Sequence, residues 1–290
     1  VTVAPRGTTA TALAAQATLP YTDVMDDATK QHRPSPLAEF VAAVIFLTRL
    51  PIRWRGPWPP ELDRRALAWF PIVGALIGAV GGLLYWGLTL AGLTAPLAAL
   101  VTVAGLSLLT GALHEDGLAD VADGFGGGRD PAAKLSIMKD SRVGTYGALA
   151  LILAALARIG ALATLADPRL VALALIGAHG FSRALLPAMK LWLPDARAQG
   201  LSASQGRPDR ARAVIAIVIG FSFAGTTLGK LGLQSGLIGL DIMALSALTV
   251  IGLGWLARRQ IGGVTGDVLG AAQQLAEIAF LLGIVAARSP

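Results

Sequence analysis

Apolar segments close to the length of a bilayer crossing follow one another along most of this chain. They cover residues 69–91, 96–113, 146–166, 170–189, 213–229, 236–256 and 268–287. A spanning helix needs about 20 predominantly apolar residues, so the pattern predicts about seven transmembrane helices. A further apolar stretch, Leu37 to Pro51, is short, carries Glu39 and ends at Arg49-Leu50-Pro51. It reads as an interfacial or re-entrant helix. The expected fold class is therefore all-α: a polytopic membrane bundle with one short N-terminal helix, in a single domain over 37–290. Residues 1–36 are rich in Ala, Thr, Pro and charge without a long apolar run, and read as a disordered tail. Met25 is a candidate working start within it.

Composition supports that class. Residues are 54% hydrophobic and 14% charged, and mean hydropathy is +0.63. Without cysteine, disulfides and thiolate metal sites are excluded, and three histidines argue against a zinc cluster. The formal charge of +6 does not indicate nucleic acid, because basic residues concentrate in alternate loops. One set holds Arg53, Arg55, Arg64 and Arg65, then Arg129, Lys134, Lys139 and Arg142, then Lys190, Arg197, Arg207, Arg210 and Arg212, then Arg258 and Arg259. The opposite set holds Arg169, Lys230 and Arg288. The positive-inside rule places the first set in the cytoplasm. Gly74, Gly78, Gly81 and Gly82 are expected to let helices pack closely.

The chemistry concentrates in two of the basic-side loops. His114-Glu115-Asp116-Gly117-Leu118-Ala119-Asp120-Val121-Ala122-Asp123 carries aspartates at steps of four and seven, which share one face of an α-helix. Like charges so placed call for a cation, and Mg²⁺ takes a few carboxylates together with phosphate oxygens. Asp116, Asp120 and Asp123 are the expected metal ligands, with Glu115 beside them. The second region is Gly263-Val264-Thr265-Gly266-Asp267, where glycines and a following helix suit a phosphate. Glu277 lies inside the next apolar helix, where a carboxylate is expensive and usually faces a site or a partner. Lys139, Asp140 and Arg142 are candidate phosphate contacts. Arg158 and the His179/Arg183 pair lie in or near spans and need polar partners. Arg183 can bind an anion or pair with a carboxylate.

Five segments in order carry a resemblance to a known family. They are Phe46-Leu47-Thr48-Arg49-Leu50-Pro51, Phe70-Pro71-Ile72-Val73-Gly74, His114 to Gly124, Lys139-Asp140-Ser141-Arg142-Val143-Gly144-Thr145-Tyr146-Gly147, and Gly263 to Gly270. From about residue 37 onward the chain resembles the cobalamin synthases, the adenosylcobinamide-GDP ribazoletransferases. The resemblance implies a Mg²⁺-dependent transferase of the inner membrane with a cytoplasmic active site. Its substrates would be adenosylcobinamide-GDP and α-ribazole or α-ribazole 5′-phosphate, and its products GMP and a cobalamin. In that reading Asp116, Asp120 and Asp123 hold metal. Glu115, Asp267 or Glu277 complete the shell or accept the hydroxyl proton. Lys139, Asp140, Arg142, Arg183, Arg49, Gly263 and Gly266 form the substrate-contact set. The corrin is expected along the membrane surface near 37–51. A looser likeness to CDP-alcohol phosphotransferases, and a divalent-cation transporter, stand as alternatives. A homo-oligomer is left open.

Overall fold

The computed structural model describes residues 34–233 and 237–288. The expected tail and the candidate start at Met25 lie outside the described residues, save for the last few positions before the first helix. Twelve α-helices and no strand are found among the described residues. They are α1 (Pro36–Leu47), α2 (Leu62–Ala66), α3 (Phe70–Leu90), α4 (Ala95–Thr110), α5 (Leu113–Gly127), α6 (Pro131–Ile137), α7 (Thr145–Leu165), α8 (Pro168–Trp192), α9 (Leu201–Gln205), α10 (Arg210–Lys230), α11 (Ile238–Ile261) and α12 (Gly266–Arg288). Six helical segments are long and apolar enough to cross a bilayer, or seven if α4 and α5 count as one bent span. Outward-facing Leu83, Leu108, Leu156, Val218 and Leu248 are exposed, an exterior that suits lipid rather than water. The chain is a polytopic helical membrane protein.

Helix ends follow local chemistry. Asp167 accepts from the backbone N–H of Arg169 at 2.8 Å and Leu170 at 3.0 Å, with Pro168 in the first turn. Asp209 caps α10 through Arg212 N–H at 2.8 Å, and Asp130 caps α6 through Ala133 N–H at 2.9 Å. Helices α3 and α8 pack at backbone distance. A Cβ at Gly74 would overlap the carbonyl oxygen of His179, and one at Gly78 that of Leu175.

Helix α1 is secured by charge as well as by packing. Its buried Glu39 accepts from Arg65 at 2.5 Å, Arg212 at 2.9 Å and Trp69 at 3.2 Å. Burial alone would draw the Glu39 carboxyl up. Hydrogen bonds from Arg212, Arg65 and Trp69 outweigh that and hold it below the usual carboxylate range.

The fourth apolar stretch does not run straight. Gly111 and Ala112 both adopt left-handed backbone, φ 65° and 54°, and α5 leaves α4 at 91°. Glycine tolerates this conformation and alanine does so at a cost. Alternation of the long helices then gathers five parts at one end of the bundle: the start of α3, this bend, the start of α7, the end of α8 and the start of α12.

Candidate active site

The acidic helix and the glycine-rich segment meet because neither has a side chain in the way. A Cβ at Gly117 of α5 would overlap the backbone oxygen of Asp267, and one at Gly270 of α12 would press on His114 backbone at 3.2 Å. This contact sets Asp267 opposite the α5 carboxylates. Asp267 is held by Arg197 at 2.9 Å and by the Thr265 hydroxyl at 3.1 Å. Thr265 also accepts from Val268 N–H at 3.2 Å, capping α12.

Gly263 has a backbone task. Val264 N–H donates to Pro194 at 2.8 Å and Ala196 N–H donates to Val264 at 2.9 Å. A Cβ at Gly263 would overlap the Pro194 oxygen. The pairing holds the 194–197 strip against α12 and delivers Arg197 to Asp267. Gly266 begins α12 and lines the pocket described below.

The three aspartates divide. Asp116 is exposed and Asp120 half-buried, and neither side chain has a hydrogen bond or ion pair among the described residues. Asp123 is buried and uses both oxygens at the start of α7. It accepts from Gly144 N–H at 2.7 Å and Gly147 N–H at 2.8 Å. A Cβ on either glycine would overlap that carboxylate, which accounts for the glycine spacing of the 144–147 segment. Asp123→Ala is therefore expected to lower stability by about 2 kcal/mol, two lost hydrogen bonds at about 1 kcal/mol each, read as a fall in unfolding temperature. Gly147→Ala should move in the same direction.

Among the described residues no three His, Asp or Glu side chains close into a metal cage. The donor set still fits Mg²⁺, a hard cation usually bound by one or two carboxylates plus substrate phosphates. Asp116 and Asp120 offer such oxygens free of protein partners.

Two hollows flank α5. At its Asp116 end lies a pocket of about 600 Å³, lined by Asp116, Asp267, His114, Lys190 and Gln205 and by apolar walls that include Phe46 and Phe70. Lys190 is buried and donates to the Ser202 carbonyl at 2.5 Å and hydroxyl at 2.9 Å. At the Asp123 end an open hollow of about 690 Å³ is bordered by Asp140, Arg142 and Tyr146. Arg142 there pairs with Asp140 at 2.6 Å, both partly or wholly in solvent. Hydrogen bonds from the Arg142 side chain and backbone hold the Asp140 carboxyl below its usual range. Lys139 is exposed beside them. Arg49 lies across Gly111 at the bend, its backbone N–H donating to Leu109 at 2.7 Å.

Glu115, Glu277 and Arg183 are brought together elsewhere, in a buried network beneath the pocket. Arg158 donates to Glu115 at 3.0 Å and lies 3.9 Å from Glu277. Glu277 accepts from Gln273 at 2.6 Å and lies 3.1 Å from His179 Nδ1 and 3.8 Å from Arg183. Arg183 Nη1 is in turn 2.9 Å from that same Nδ1. A single imidazole nitrogen either donates to Glu277 or accepts from Arg183, so the tautomer of His179 decides which partner it serves. Two arginines and two glutamates balance, as buried charges must. Glu277 and Arg183 are each 1% exposed. Their place is between helices, with the substrate pocket above them.

Reading the sequence alone left Arg197 and Lys190 as topological charge and missed both Gln205 and the pocket role of His114. The available signal was Lys190 ending an apolar span with Asp195 five residues on.

A model of the cobalamin-5-phosphate synthase family matches residues 39–285. The chain belongs to the cobalamin-5-phosphate synthase family. It is accordingly a transferase of cobalamin biosynthesis. Among its relatives is the adenosylcobinamide-GDP ribazoletransferase of Bradyrhizobium diazoefficiens, 46% identical over 246 residues, covering 85% of this chain and 92% of that one. The enzyme of the same name from Azorhizobium caulinodans is 44% identical, covering 86% and 96%. That from Xanthobacter autotrophicus is 45% identical, covering 85% and 95%. No solved structure matches the chain significantly. The matched range of the family takes in α5, the Asp123–Gly147 contact and the start of α12, so the site belongs to the family's own segment.

Proposed function

We propose that the protein joins adenosylcobinamide-GDP to α-ribazole or α-ribazole 5′-phosphate, forming adenosylcobalamin or its 5′-phosphate and releasing GMP. The observation that carries this reading is the meeting of α5 and α12. It sets unpartnered Asp116 and Asp120 opposite Asp267, between a closed pocket and an open hollow. A ribose hydroxyl oxygen attacks the phosphorus nearer the corrinoid. The bond to the bridging oxygen breaks, GMP leaves with that oxygen, and the hydroxyl proton passes to a carboxylate. Asp267 and Asp116 both border the pocket and are the acceptors within reach of a hydroxyl there.

Bound Mg²⁺ would supply charge neutralisation at the phosphoryl oxygens. Asp116 and Asp120 would hold it, and Asp123 would fix the 144–147 turn beside them. Arg142 and Lys139, on the open side, would steady the diphosphate. Glu115 and Glu277 would act through helix position, and Arg183 with them. The positive-inside pattern supports a cytoplasmic site in the inner membrane, where nucleotides and Mg²⁺ are at hand.

Purified protein in phospholipid nanodiscs, given both substrates and Mg²⁺, should release GMP and cobalamin in equal amounts. Release of CMP from a CDP-alcohol instead would favour the phospholipid-enzyme alternative. Mg²⁺ flux in liposomes without GMP release would favour a transporter.

A further inference from the structure

Phosphoryl transfer needs polar surroundings, yet the closed pocket is walled mainly by Phe46, Leu67, Phe70, Leu113, Leu186 and Leu269. Such walls disfavour a diphosphate and favour a flat apolar ring system. Two polar side chains among them lack partners. Gln205 is 6% exposed and has no hydrogen bond among the described residues. His114 is 3% exposed, and its Nδ1 is buried without a partner. Buried amide and imidazole groups left unpaired are costly, and their position on the pocket wall points to a ligand that completes them.

We propose that this pocket seats the base of the acceptor nucleoside. That base is a fused, methyl-bearing heteroaromatic bicycle. Its ring lies among the phenylalanine and leucine side chains. Gln205 and His114 hydrogen-bond its ring nitrogen or the ribose hydroxyls. The ribose end then faces Asp116 and Asp267. This assignment rests on the reading above that α-ribazole or its 5′-phosphate is the acceptor. About 600 Å³ holds a nucleoside, whereas a corrin ring with its amide arms and adenosyl group exceeds it. The corrinoid half therefore stays on the open side of α5. Guanine fits the pocket poorly, because its amine, ring N–H and carbonyl would outnumber the polar groups that the walls present.

The benzimidazole ring fluoresces, so α-ribazole binding to wild type in nanodiscs can be titrated without any donor substrate. Leu201→Trp narrows the pocket from a half-exposed position on the short helix α9, and Gln205→Leu removes the amide. Each should raise the Kd and KM for α-ribazole about tenfold or more. The KM for adenosylcobinamide-GDP should stay within about twofold. Guanosine 5′-monophosphate should not displace α-ribazole. Unchanged unfolding temperature, with Leu201→Val binding like wild type, separates pocket filling from misfolding. Unaltered α-ribazole affinity in both variants, displacement by GMP, or a shift that falls on the donor KM would overturn the assignment. If GMP is still released in that case, the reaction stands and the pocket assignment falls. If wild type binds α-ribazole in this pocket but releases no GMP, the reaction falls instead.

Discussion

Replacing Asp116 and Asp120 together with asparagine should lower GMP release by about a hundredfold or more, with little change in stability. Asparagine keeps the shape and removes the charge. A cation's stabilisation of a phosphoryl transition state amounts to several kcal/mol, and each 1.4 kcal/mol is a factor of ten. Neither side chain has a protein partner to lose. Taking two like charges off one helix face also relieves repulsion, so the unfolding temperature should hold or rise slightly. The single variants should need more Mg²⁺ for half-maximal activity, which a purely structural role would not produce. Activity within about threefold of wild type in the double variant would remove the carboxylate ridge from the chemistry.

The largest effect on stability should come from Arg158→Met. Arg158 is the cation shared by Glu115 of α5 and Glu277 of α12, and it is 6% exposed. Removing one partner from a buried ion network leaves an uncompensated charge and typically costs about 3–5 kcal/mol. Glu115 would keep only Ser107 at 2.9 Å on one oxygen, and its other oxygen is already without a partner. The double variant Arg158→Met with Glu115→Gln should recover a good part of the loss, because the stranded charge is gone. Denaturant unfolding in mixed micelles measures both. Equal loss in the single and double variants would mean that the side chain acts through packing alone.

The long helices were legible because bilayer length and apolar composition dictate them one segment at a time. The bend at Gly111-Ala112 was not, since the apolar run passes through it without a break and only backbone conformation marks the corner. The aspartate face was legible from helical spacing. What Asp123 does was hidden, because its partners lie in backbone N–H groups at Gly144 and Gly147. Those groups are identified by a glycine pattern whose purpose shows only when the carboxylate arrives. Arg197 reaches Asp267 through the strip pairing of Pro194 and Ala196 with Val264, a contact between segments some seventy residues apart that no periodicity encodes. Glu277 was correctly flagged as needing a partner inside its helix. That the partners would be Arg158, His179 and Gln273 depended on the order in which four helices pack. The five segments that carried the family resemblance converge in space: Phe46, Phe70, His114 with Asp116, and Gly266 with Asp267 line one pocket, and Gly144 borders the other hollow.

The right-angle turn before α5 has a consequence for traffic. With α4 crossing the bilayer, α5 lies along its surface like a sill, and its carboxylates are spread over about 10 Å of axis at 1.5 Å per residue. A water-soluble nucleoside arrives at one end of that sill and a bulky amphiphile slides up to the other. Neither has to traverse the membrane or pass the other on the way in, and the bond is made where the two routes end.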